Sequence, residues 1–93
     1  MTPQKIADVA TYYFELLREH GVEPCRIDPE RSFATQSTVQ ILSHAAYLCA
    51  GIPTYVFDDG KIGKANRHLA SAQMCLSFVG WFTLNQLRTH NVA

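Results

Sequence analysis

Residues 64–91 read KANRHLASAQMCLSFVGWFTLNQLRTHN, and this stretch decides the fold. Leu69, Ala72, Leu76 and Val79 recur at intervals of three and four, the spacing that places side chains on one stripe of an α-helix facing a core. The spacing predicts a helix that starts near Lys61 to Lys64, runs to Val79 and is ended by Gly80 in the left-handed conformation. Immediately beyond, Thr83-Leu84-Asn85-Gln86 forms a capping box, in which the threonine hydroxyl and the glutamine side chain each satisfy a backbone N–H of a new first turn. Trp81 and Phe82 stand where an apolar residue staples onto Leu87, and Asn91 is expected to close the short helix in the left-handed conformation. Arg67 and Gln73 share the longer helix. Any part of them that is buried needs polar partners, because a desolvated polar group without a hydrogen bond costs a few kcal/mol.

Working outward, the N-terminal segment carries an equally clear helix. Thr2 is a capping residue, Pro3 occupies the first helical position where its missing N–H does no harm, and Gly21 follows as terminator. Between them Ile6, Val9, Ala10, Tyr13, Leu16 and Leu17 make a single apolar stripe, while Tyr12 falls near the polar face. Two starts are available for a second helix: Asp28-Pro29-Glu30, with a capping acceptor, a proline and an acid, or Thr35/Ser37 further on. Its body is Val39, Leu42, Ala45, Ala46 and Cys49, with Gly51 and Pro53 as the expected stop. Residues 52–63 are read as an irregular connection, with a small β-hairpin about the Asp58-Asp59-Gly60-Lys61 turn as the alternative. The expected fold is all-α: an antiparallel hairpin of helices two and three, an N-terminal helix packed against it, and a short capped C-terminal helix, in a single helical domain over 1–93.

Composition narrows the function classes. A chain of 93 residues buries only roughly 60–65% of the surface its unfolded form exposes, so its core is thin. Hydrophobic residues make up 47% and charged residues 17%, too apolar for disorder and under-charged for a solitary helical monomer, which points to a homo-oligomer. Eight basic and eight acidic residues cancel, so no global field draws the chain to nucleic acid or an anionic membrane. Cys25, Cys49 and Cys75 are odd in number and lack the close paired spacings of a zinc site. With no signal-peptide pattern at the start and no run of ~20 apolar residues, the expected setting is the cytoplasm, without a membrane span.

The residues with chemical reach are Tyr12, His44, Lys64, Asn66, Arg67, His68, Gln73, Arg88, His90 and Asn91. They are rich in amides, imidazoles and cations and poor in carboxylates. Such a set suits recognition of an anionic ligand carrying bases or sugars better than acid–base catalysis, which needs titrating groups at close range. The fragment GKIGK lacks the spacing of a phosphate loop, the histidines lack the i, i+4 pairing of a helical metal site, and no nucleophile elbow is present. The chain is therefore read as a non-enzyme with no cofactor and no metal. An antiparallel hairpin would also bring His44 within reach of Gln73 or its neighbours.

His-Ala-Ala-Tyr-Leu-Cys from His44, the run from Lys64 to Leu76 and the segment from Thr83 to Asn91 together resemble a group of small phage-encoded helical proteins. Their pattern is H-x-x-W-M-C, then K-x-N-R-W-L-G-F-x-Q-G-x-L, then T-x-x-E-L-R-x-H-N. The match rests on His44, Cys49, Lys64, Asn66, Arg67, Leu69, Gln73, Leu76, Gly80, Thr83, Leu87, Arg88, His90 and Asn91, about half the chain. Tyr47 stands where the group has tryptophan, His68 where it has an aromatic, and Ala70 and Met74 where it has glycines. The resemblance implies an accessory phage protein in the host cytoplasm. One expectation is an anti-defence sponge that sequesters a small nucleotide immune signal, such as a cyclic ADP-ribose isomer or a cyclic oligonucleotide. Arg67 and Lys64 would meet phosphates, Tyr12 a base, and Asn66, Gln73 and His44 the base edges and sugars. The other expectation is a non-catalytic helical adaptor or inhibitor that binds a host or phage protein.

Overall fold

A computed structural model describes residues 1–92 of the chain and shows four α-helices and one 3-10 turn. Helix α1 spans Pro3–Glu19, α2 Thr38–Tyr55, α3 Ile62–Phe78 and α4 Leu84–Val92, with the 3-10 turn at Phe33–Thr35. Helices α2 and α3 form the expected hairpin, α1 packs mainly on α2 and also on α3, and α4 lies against α1.

Local chemistry explains each boundary. The Thr2 side chain accepts the Lys5 N–H at 3.1 Å and starts α1. Its end is a complete Schellman motif: Val22 N–H returns to the Leu17 carbonyl, Gly21 N–H to that of Arg18, and Gly21 takes φ of 77°. The same motif ends α3, where Trp81 bonds Leu76, Gly80 bonds Ser77, and Gly80 has φ of 86°. Helix α2 starts on a capping box, with Ser37 Oγ accepting from Gln40 N–H while Gln40 Oε1 accepts from Ser37 N–H. The box at Thr83 and Gln86 does the same for α4.

The core forms where the helical stripes meet. Ile6, Ala10, Tyr13 and Leu17 of α1 pack with Ala45, Cys49 and Ile52 of α2 and with Leu69, Ala72 and Leu76 of α3, all fully or almost fully buried. Leu87 is the one buried side chain of α4 among the described residues.

Four expectations are corrected. Asp28-Pro29-Glu30 starts no helix: the Asp28 carboxylate caps Glu30 N–H and the Asp28 carbonyl accepts from Arg31, but the residues after it, exposed apart from Gln36, have no apolar face to bury, so the turn is not propagated. Helix α2 passes through Gly51 and Pro53 to Tyr55, and no hairpin follows. Pro53 lies in the last turn, where its missing N–H forfeits one hydrogen bond, while burial of Ile52 and Val56 holds the helical path. Val39 is 66% exposed, because at the first turn it lines a polar hollow with Arg26, Gln36 and Ser43 rather than the core. Asn91 stays helical, with no non-glycine residue at positive φ among those described, because its amide is engaged by α3.

Candidate functional site

The polar residues separate into three clusters. The first joins α1, α3 and α4. Gln73 occupies the position between Ala72 and Leu76 on the buried stripe of α3 and is only 6% exposed. Its amide donates to the Tyr13 hydroxyl at 3.1 Å and to Asn91 Oδ1 at 2.7 Å, and Asn91 Nδ2 donates back to Gln73 Oε1 at 3.4 Å. The Tyr13 hydroxyl meets His90 Nδ1 at 2.7 Å; with Gln73 donating to that oxygen, its proton is assigned to the imidazole. Burial pushes the Tyr13 phenol up to about 12, which keeps it a neutral donor. The Tyr12 and Phe82 rings stand edge-on to His90, with centroids 5.6 and 4.7 Å away. Every buried polar side-chain atom among the described residues has a partner. The cluster is a satisfied clasp that fastens α4 to the hairpin.

The second cluster sits where α2 ends and α3 begins. Continuation of α2 to Tyr55 brings that phenol 2.6 Å from His68 Nδ1, and Lys64 Nζ lies 4.5 Å from the Tyr55 ring centroid. Desolvation, reinforced by the Lys64 and Arg67 charges, lowers the His68 pKa below the ordinary histidine value. Arg67 and Asn66 are exposed, and no ion pair involves Arg67 among the described residues; Asp28, a candidate partner for it, instead pairs with Arg31 at 3.8 Å.

The third cluster is built on His44. Its Nδ1 accepts the Ile27 N–H at 3.1 Å, so a neutral ring carries its proton on Nε2. Phe33 packs against the imidazole at 5.6 Å between centroids, and Tyr47 stacks on it at 6.0 Å. Desolvation comes first, then the Arg26 and His68 charges, in holding His44 below its usual pKa. Cys25 N–H to the Ser43 carbonyl is the other bond pinning this stretch of the long loop onto α2.

Between the second and third clusters runs a groove of about 600 Å³. Ile41, His44 and Leu48 of α2 form one wall, His68, Ser71, Cys75 and Phe78 of α3 the other, with Phe33 and Met74 at its rim. Positions 68, 71, 75 and 78 repeat the helical stripe one residue away from the core stripe, so this face is turned roughly 100° around α3 from the side that α1 covers. It is apolar and open: Met74 is 52% and Phe78 75% exposed. Cys75 is buried within the α3 wall, and burial raises its thiol pKa.

Of the six sequence-derived residues, the groove takes His44 alone. Lys64 reaches it indirectly through Tyr55 and His68, Arg67 and Asn66 face solvent, and Tyr12 and Gln73 belong to the α4 clasp. His44 and Gln73 share no partner: one bonds the loop, the other α1 and α4. Sequence reasoning missed Phe33, Tyr55, Met74 and Phe78. The available signal was the run of Met74, Cys75 and Phe78 beside the core stripe of α3 and the absence of Asp, Glu, Lys and Arg throughout α2. No protein family, curated protein or solved structure matches the chain.

Proposed function

We propose that the protein acts by binding rather than by catalysis, as a helical adaptor or inhibitor whose working surface is the α2/α3 groove and whose occupant is an apolar face of a helix. The observation that carries this reading is the groove itself, a long apolar trough flanked by exposed Phe33, Met74 and Phe78 on helices nearly free of charge. Helices seat in such grooves by inserting anchors at i, i+3/i+4 and i+7. Charge distribution supports the same assignment. Helix α1 carries Lys5, Asp8, Glu15, Arg18 and Glu19, as a solvated helix does, whereas α2 and α3 together carry only Lys64 and Arg67. An uncharged face with large exposed side chains costs solubility unless it is covered, which also supports a homo-oligomer. As part of the same proposal, the sequence resemblance would make it an accessory phage protein acting in the host cytoplasm. No helix among the described residues is long and apolar enough to cross a membrane.

Two imidazoles favour a second reading, capture of a small nucleotide signal. His44 and His68 both have Nδ1 engaged; His44 therefore presents an Nε2–H donor, and His68 presents an Nε2 that donates or accepts according to its tautomer, beside aromatic walls in a groove of ligand size. Arg67 and Lys64 would then meet phosphates near the groove end. Nuclear magnetic resonance titration separates the two. An amphipathic model helix should shift the backbone resonances of Leu48, Ser71, Met74 and Phe78, whereas cyclic nucleotides should shift those of His44 and His68 if the second reading holds. A helix that shifts none of the groove residues removes the adaptor reading.

A further inference from the structure

We infer that the helix filling the groove is α3 of a second copy of this chain, packed antiparallel across a two-fold axis near Ser71. This names the partner of the groove proposed above and rests on that reading.

A two-fold contact requires one surface to carry both knob and hole. This surface does. Phe78 and Met74 project from the same helix that walls the groove, while Ala70 and Ser71 midway between them and the cationic end are small enough for two helices to approach closely. Antiparallel packing about Ser71 places residue 71+k opposite residue 71−k of the other copy. Met74 then lies against the partner copy's His68, and Phe78 against its Lys64.

Charge selects this orientation. Helix α3 has its two cations, Lys64 and Arg67, in its first half and no charged residue in its second half. Packed parallel, the two copies would set four cations side by side. Packed antiparallel, the two Lys64 residues stand about 21 Å apart along the axis, well beyond the ~8 Å screening length at physiological salt. Each cation also faces the carbonyl end of the opposing helix, where the helix dipole is negative. Lys64 already rests on one face of an aromatic, 4.5 Å from the Tyr55 centroid, and Phe78 of the second copy supplies another ring beside it. The thin core of a short chain also gains from the added burial.

Light scattering over a concentration series, with the full-length protein, tests the assignment. The wild type should report a dimer that dissociates on dilution. Phe78→Asp and, separately, Met74→Lys should weaken self-association by roughly 30-fold or more, as loss of a central anchor does, and both residues are exposed enough in one chain that circular dichroism should stay helical. Lys64→Glu, which puts an acid beside the opposing carbonyl end, should weaken it as well. In a Cys25→Ser background, a short bis-maleimide should link Ser71→Cys chains into dimers and leave Thr11→Cys chains, marked on the outer face of α1, unlinked. A dimer unaffected by Phe78→Asp and Met74→Lys, or equal linking at both positions, overturns the inference. So does a protein that stays monomeric at about millimolar concentration, near the weakest association the assay resolves. A monomer whose groove residues still respond to the model helix loses only the second-copy occupant, whereas a monomer that ignores the helix loses the groove reading too.

Discussion

Gln73→Ala tests the clasp that fastens α4. In the folded chain the Gln73 amide spends its two donors on Tyr13 and Asn91 and receives one bond from Asn91. After truncation Tyr13 keeps His90, but the half-buried Asn91 amide loses its partner on both atoms. Each good intramolecular hydrogen bond contributes about 1 kcal/mol net, so the two short ones account for roughly 2 kcal/mol. The one removed methylene adds about 1 kcal/mol of lost burial. The expected cost is therefore about 2–4 kcal/mol, which at ~4–8 °C per kcal/mol for a domain of this size lowers Tm by roughly 10–25 °C. Thermal and urea unfolding followed by circular dichroism measure it, and a double-mutant cycle with Asn91→Ala should return a coupling of about 1–2 kcal/mol. The groove shares no residue with the clasp, so binding of the model helix should persist wherever the variant is folded. A destabilisation below about 0.5 kcal/mol, the range of an ordinary surface change, would refute the structural assignment of Gln73.

Other outcomes follow from the same geometry. Arg67→Ala should change stability by less than about 0.5 kcal/mol, since no ion pair involves Arg67 among the described residues; a loss of several kcal/mol by urea unfolding would reveal a buried partner. His44 and His68 both titrate below the ordinary histidine value, so the unfolded chain binds more protons than the folded one just below about pH 6.5. Stability should accordingly fall as pH drops through that window, and a Tm that is level or rising from pH ~7.5 to ~5 contradicts the signs. Ser37→Ala removes the cap of α2 and should cost about 1 kcal/mol by urea unfolding, with Ser37→Gly nearer the wild type. Iodoacetamide should label Cys25 in the native protein and spare Cys49, whose thiol is buried and pushed up to about 12; prompt native labelling of Cys49, read by mass spectrometry, would show that α2 opens.

The helices themselves were legible in local sequence. Thr2-Pro3, Ser37 with Gln40 and Thr83 with Gln86 cap helices through contacts within four residues, and Gly21 and Gly80 end them by backbone conformation, so no distant residue is needed to read them. The apolar stripes of α1 and α3 likewise fix which faces are buried, including the surprise that Gln73 sits among them. Tertiary packing decided what local signals left open. Pro53 is a stop in isolation, yet burial of Ile52 and Val56 carried α2 past it, and that extra turn is what brings Tyr55 to Lys64 and His68. Asp28-Pro29-Glu30 has every local mark of a helix start and fails for want of an apolar face to bury. Most of all, a helical wheel assigns a polar side chain to an angle but not to a neighbour. Only the packing of α1 and α4 turned Gln73 and Tyr12 into parts of a clasp, and only the side of the hairpin left uncovered made Phe33, Met74 and Phe78 a groove, because partners three helices away in sequence leave no periodic trace in the chain.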